Sequence, residues 1–321
     1  MKHIPSSWLA ALARRAFQAV AVGLIVGTAC FLMARALPGD LATRIAAGRY
    51  GYDLVSNAAA DAVRAELGLD RPAAAALADW WWDIARLRLG TSLVSGETVW
   101  REVAHQLGAT LQLAAGATLF ALLVGLPLGV WCGVRPGGVA DRIVLAMSAV
   151  LRGLPPFMLA LLLMLAFAVH LGMLPAAGDD GHGSLLLPAA TLGLPLAAGL
   201  ARVARGALRD VRRSAAYEFA RTKGLPARAV LVRHGLRAGA VPVTAWLGVQ
   251  TVFLMEGALV VETLFAWPGI GHALVHAVFG RDVPMIQGTA LCMGLLFVLF
   301  NLLVDGACLL LDPRARSGGA A

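Results

Sequence analysis

Long apolar runs separated by polar breaks dominate the chain. Six runs stand out, at roughly 17–37, 108–132, 143–171, 185–206, 243–265 and 286–311. Each is about 20 residues or longer, and at ~1.5 Å of rise per residue a helix of that length crosses a ~30 Å hydrocarbon core. The pattern predicts an all-α membrane protein with six transmembrane helices. It divides the chain into an N-terminal segment with the first helix (1–37), a polar loop region (38–106), a five-helix core (107–311) holding a polar loop at 208–242, and a short tail (312–321). No soluble catalytic domain remains once the runs are removed.

The polar segments have their own signals. Residues 61–67 read as a short helix stopped by Gly68, with Pro72 just beyond. Trp80, Trp81 and Trp82 follow, a cluster that reads as an anchor in the headgroup zone and not as a stacking site. Residues 93–106 read as an amphipathic lead-in to the second run. In the loop 208–242, the stretch SAAYEFARTK (214–223) predicts a short helix outside the membrane. Gly224 ends it, and Pro226 is expected to prevent its resumption. Such a helix reads either as a surface element on anionic lipid, as a solvated turn, or as a knob for a cytoplasmic partner. Amphipathicity does not choose among them.

Composition agrees with the membrane reading. The chain is 59% hydrophobic and 14% charged, with a mean hydropathy of +0.75. A net charge of +8 would suit a nucleic-acid partner, but its distribution argues against one. Eight Lys and Arg fall in 208–242, and others cluster at Lys2, Arg14 and Arg15, at Arg135 and Arg142, and at Arg314 and Arg316. With alternating helices these segments share one side. On the other side, 172–184 has no Lys or Arg and 266–285 has only Arg281. This asymmetry predicts that both termini are cytoplasmic. The small-x-small triplet Ala34-Arg35-Ala36 mimics a signal-peptide cleavage site, but the run before it is longer than a signal core, so a retained first helix is expected. Cys30, Cys132, Cys292 and Cys308 lie in or at the ends of apolar runs without paired or metal-type spacing, and read as small buried hydrophobes.

Glu218-Phe219-Ala220 followed by Gly224 resembles the EAA…G signature of binding-protein-dependent ABC permeases. The surrounding text AYEFARTKGLPARAVLVRHGLRAGAVPV is similar to the peptide/nickel permease version of that loop. Other segments fit the same family in order: Leu37-Pro38-Gly39-Asp40, Leu67-Gly68-Leu69-Asp70-Arg71-Pro72, VVETLFAWPGIG (260–271), Arg281-Asp282-Val283-Pro284, Gln287-Gly288, Asn301-Leu302-Leu303-Val304-Asp305 and Leu311-Asp312-Pro313-Arg314. The resemblance covers essentially the whole chain. It implies a permease of the dipeptide/oligopeptide/nickel ABC importer family with the type I importer fold. It also implies an inner-membrane location and assembly with a second homologous permease, two cytoplasmic ABC ATPase subunits and an extracytoplasmic solute-binding protein. The short helix would be the cytoplasmic coupling helix, with Tyr217, Glu218, Phe219, Ala220 and Gly224 meeting the ATPase. No cofactor is expected on this chain. It lacks a GxxxxGK[ST] loop, so ATP is left to the partners.

Several ionisable residues fall inside the runs, where they are costly and usually face protein or water. Glu262 and Asp305 match positions the family fills with acids, which implies a shared structural role, and Glu262 is close enough to the end of its run to be hydrated. Glu256 has no such match. The expectation is that it faces the translocation path, a bond to a neighbouring helix being the alternative, and Glu262 and Asp305 are the further path candidates. Arg152 precedes Gly153-Leu154-Pro155-Pro156, where a broken helix would free carbonyls to accept from it. His272 and His276, four apart, share one helix face, and His170 and His182 flank a loop on the same predicted side. Two histidines without a carboxylate or Cys set make a poor metal site, so no metal is expected. An ion-coupled secondary transporter would also carry intramembrane acids, but it shows no use for a docking helix. An intramembrane enzyme finds no HExxH motif or convincing Ser/His pair.

Overall fold

The computed structural model describes residues 6–36, 40–50, 56–67, 72–86, 88–179, 181 and 183–311. Some side chains inside its helices, those of Glu256 and Asp305 among them, lie outside the described ones. The described residues form helices and no strands. In order these are α1 (Ser6–Ala36), α2 (Leu41–Tyr50), α3 (Asn57–Leu67), α4 (Ala73–Ala85), α5 (Val99–Val134), α6 (Val139–Gly153), α7 (Pro156–Leu163), α8 (Leu186–Arg212), α9 (Ala215–Thr222), α10 (Ala227–Val230), α11 (Arg237–Leu264), α12 (Ile270–Gly280) and α13 (Val283–Leu311). A π-helical turn extends α7 over Met164–His170, and another joins α10 to α11 over Leu231–Leu236.

Four helices hold windows long and apolar enough to cross a membrane: Ala16–Met33, Val99–Val134, Leu186–Arg212 and Val283–Leu303. The expected third span is not one straight helix. The chain turns by 108° between α6 and α7, and the two together are apolar enough to count as a fifth candidate span. The cause is local: Leu154 is extended, and Pro155 and Pro156 cannot donate to the preceding turn. The expected run 243–265 falls almost entirely within α11. The amphipathic lead-in expected at 93–106 joins the second run directly. From Val99 onward it belongs to α5, which continues unbroken to Val134.

The helices fall into two compact units. One comprises Met1–Ala109 with Pro268–Leu299, the other Thr110–Trp267 with Phe300–Ala321. In the first, α1 packs through small residues. A Cβ added at Gly27 would sit 2.0 Å from the ring of Trp80, and one at Gly23 would sit 2.7 Å from Leu291 of α13. The indole of Trp81 donates to the hydroxyl of Thr28 at 3.2 Å. The Trp cluster is thus divided: Trp80 and Trp81 hold α4 on α1, while Trp82 is exposed and stacks under the Arg86 guanidinium at 4.3 Å. α2 and α3 bury Ala42, Ile45, Ala46, Ala60 and Val63 between them. α3 begins earlier than the predicted 61–67, and Ser56 accepts from the Ala59 amide at its start.

In the second unit α8 is the central helix, buried along most of its length from Leu187 to Leu208 and flanked by α6, α7 and α11. α5 lies against it backbone to backbone. Gly125, Gly129 and Gly133, four apart, form one face of α5. A Cβ at Gly125 would be 2.4 Å from the carbonyl oxygen of Ala197, and one at Gly129 would be 2.5 Å from that of Ala201. Where lipid removes the hydrophobic drive, this close approach supplies the van der Waals contact that holds helices together.

Candidate functional site

The polar loop after α8 builds a capped knob. Ser214 is the N-cap of α9: its backbone is extended and its hydroxyl accepts from the Tyr217 amide at 3.3 Å. At the other end Gly224 has φ +78°, a left-handed conformation that only glycine adopts without strain. Pro226 does not stop helix formation; it precedes α10, whose first residue is Ala227.

α9 is amphipathic, and this corrects the expected division of labour among its residues. Tyr217 and Ala220 are buried against Val230, with Val211 packed beside them. Their apolar area is therefore spent within the chain. Phe219, 62% exposed, and Glu218 point outward. Lys223 lies 4.6 Å from the Phe219 ring, and no atom comes within 4 Å of a Cβ built on Gly224. The outer face offers an aromatic ring, a carboxylate and an open glycine end.

Below α9 the ends of α5, α6 and α8 are tied by a buried ion pair. Arg205 donates from Nη2 to Asp141 at 2.7 Å and from Nε to the other carboxylate oxygen. Asp141 also accepts from the Gly137 amide at 2.8 Å. Arg212 caps the end of α5 by donating to the carbonyls of Gly133 and Val134.

Of the path candidates, Glu262 is fully enclosed rather than hydrated, and its carboxylate accepts from the Thr110 hydroxyl at 2.7 Å. That geometry ties two helices. The Glu256 and Asp305 side chains lie outside the described ones. Arg152, at the α6–α7 break, lines a cavity of about 300 Å³ with Thr191, Pro195, Gln250 and Leu254. Among the described residues it makes no hydrogen bond to the freed carbonyls and no ion pair.

In the first unit His272 and His276 share a face of α12, with ring centroids 4.5 Å apart in an edge-on arrangement. They line a cavity of about 460 Å³ with Glu102 and His105. Burial, and then the neighbouring His276, push the His272 pKa down. Among the described residues no three His, Cys, Asp or Glu converge as a metal site. His170 bonds the Leu165 carbonyl within the second unit, and His182 lies outside the described residues.

Asp282, which the sequence shows only as part of the segment Arg281-Asp282-Val283-Pro284, has a structural role of its own. Buried at the start of α13, it accepts from the Ser92 hydroxyl, from the amide of Leu93 at 3.1 Å and from that of Met285 at 3.2 Å. The position before Val283-Pro284 is a readable helix start; its partners 190 residues away are not.

A model of the family described as binding-protein-dependent transport system inner membrane component matches residues 125–317, which include α8, α9 and α11. The chain belongs to this family. It is 38% identical over 293 residues to the glutathione transport system permease protein GsiC of Pectobacterium atrosepticum, covering 91% of this chain and 94% of that one. It is 36% identical over 315 residues to a putative peptide transport system permease protein of Brucella abortus, covering 96% and 99%. The fold is similar to that of the MetNI methionine ABC transporter in an inward-facing form, with a TM-score of 0.54 at 17% identity, over 65% of this chain and 96% of that chain. The protein is thus an ABC importer permease, a multi-pass membrane subunit of a non-catalytic type.

Proposed function

We propose that this permease is one of two pore-forming subunits of an ATP-driven importer that carries peptide-like solutes inward. An extracytoplasmic binding protein delivers the solute, two cytoplasmic ATPases dock on α9, and both termini of this chain are cytoplasmic. The division of α9 supports the docking role most directly. Tyr217 and Ala220 clamp the helix to Val211 of α8 and Val230 of α10, so a push on Phe219 and Glu218 moves those elements with it. Rigid-body transmission of that kind is how ATPase closure would exchange outward for inward access. The peptide class is supported by the glutathione and peptide permease relatives. This chain binds no cofactor of its own, and ATP belongs to the partners.

The test is uptake by proteoliposomes holding the complete complex, with labelled glutathione as a tripeptide probe. Uptake should require internal ATP and the binding protein and be insensitive to a proton or sodium gradient. Gradient-driven uptake by this chain alone would replace the proposal with a secondary transporter.

A further inference from the structure

Where α5 and α8 end beneath α9, a cavity of about 450 Å³ is lined by Arg205, Arg209, Arg212, Arg213 and Arg221, with Tyr217 at its wall. Two of the five guanidinium groups are occupied within the chain: Arg205 holds Asp141, and Arg212 holds the carbonyls of Gly133 and Val134. Arg209, Arg213 and Arg221 make no ion pair among the described residues, and the neighbouring acids Asp210 and Glu218 do not line the cavity. The positive charge exceeds what helix ends require. Two helix C-termini supply roughly half a negative unit each, and Asp141 supplies one more, against five cations. Like charges crowded around one concavity repel, and an anion among them relieves that repulsion.

We propose that this cavity binds the phosphate of an anionic phospholipid headgroup. The guanidinium fork matches phosphate oxygens in pairs, and three such forks converge here. The cavity lies beyond the apolar stretch of α8, where Arg205, Arg209 and Arg212 bring charge back into the helix, as at a headgroup boundary. Basic pockets between membrane helices take lipid headgroups by this chemistry. Arg209 and Arg213 come from the end of α8 and Arg221 from α9, so one bound phosphate bridges the two. The lipid then acts as a third clamp on α9, beside Tyr217 and Ala220. The site depends only on the membrane location of the chain and stands whether or not α9 docks an ATPase.

Native mass spectrometry of the full chain in detergent, titrated with phosphatidylglycerol, phosphatidylcholine or inorganic phosphate, tests this. The natural chain should retain one phosphatidylglycerol in preference to phosphatidylcholine. Removing two charges in Arg209→Gln/Arg213→Gln should weaken that binding about thirtyfold, at roughly tenfold for each 1.4 kcal/mol and ~1 kcal/mol per basic residue. Arg209→Lys/Arg213→Lys, which keeps the charge and loses the forked donors, should bind between the natural chain and the Gln pair. Arg228→Gln/Arg233→Gln, equally basic and exposed but away from the cavity, should bind normally. Unchanged affinity in the first pair, or equal loss in the last, overturns the site. Inorganic phosphate that binds and displaces the lipid at equal concentration would assign the cavity to a free anion and overturn the lipid source. Loss of ATPase co-purification with lipid binding intact would assign the arginines to an acidic protein surface and likewise overturn it.

Discussion

Asp282 closes a loop and starts a helix with one carboxylate. Its acceptors serve the Ser92 hydroxyl, the Leu93 amide and the Met285 amide in the first turn of α13. In Asp282→Ala these buried donors lose their partner together, and stranded donors cost more than the bonds themselves. The expected outcome is a loss of ~2–4 kcal/mol in local protection. It is read by hydrogen exchange at residues 92–95 and in the first turn of α13. Unchanged protection would show the loop is held by other contacts. Residue by residue, legibility follows distance along the chain. Ser214, Gly224 and the Gly153–Pro156 break act on their immediate neighbours, so their residue types announce them. Asp282 and Ser92 carry no mark of each other, nor do Arg205 and Asp141, because only the folded chain brings those pairs together. Tyr217 and Phe219 look alike as apolar area, and only packing shows that one faces the body and the other away.

At the level of elements, α5 and α8 depend on having nothing between them. A side chain at Gly129 meets the Ala201 carbonyl oxygen and the Ala204 methyl at once, and neither backbone gives way cheaply. Gly129→Leu should lower the apparent melting temperature in detergent and the amount of protein inserted, with overpacking costing ~1–3 kcal/mol or more. Gly108→Leu, where nothing lies within 4 Å, is the control expected to behave normally. Equal behaviour of the two would refute the close packing. The spacing of Gly125, Gly129 and Gly133 was readable, but which helix they receive was not.

The helix α12 carries a pH dependence of definite sign. His272 has its pKa held below the usual 6.5 by burial, with His276 adding to it, while His105 and Glu102 line the same cavity. The unfolded segment therefore binds a proton that the folded one resists. Stability is complete above about 6.5 and falls as the pH drops through the folded pKa. Hydrogen exchange of α12, corrected for the intrinsic rate, should show less protection at pH 5.5 than at pH 7.5, and His272→Gln should flatten the difference. Greater protection in acid would contradict the assignment.

For the whole molecule, the alternation of apolar runs carried most of the long helices, and the likeness in 214–242 carried the family. What they left out is geometry that emerges only on folding: the 108° turn at α6–α7, the enclosure of Glu262, and the arginine cavity. The orientation itself is open to direct measurement. Reporter fusions after Ser184 and after Arg213, at the two ends of α8, should report opposite compartments, with the second in the cytoplasm. The same compartment for both would refute the topology.

The central claim is that α9 couples ATP hydrolysis to solute movement, and Gly224 tests it because both substitutions there strain the same left-handed backbone. Gly224→Ala adds a methyl group into open space and should cost ~1 kcal/mol while leaving docking intact. Gly224→Arg adds bulk and charge at the end that would meet the ATPase. The decisive measurement is solute-stimulated ATP hydrolysis by the assembled complex in proteoliposomes. Near-normal stimulation is expected with Gly224→Ala and its loss with Gly224→Arg, with the chain still folded. Normal assembly and normal stimulation with Gly224→Arg would contradict that claim.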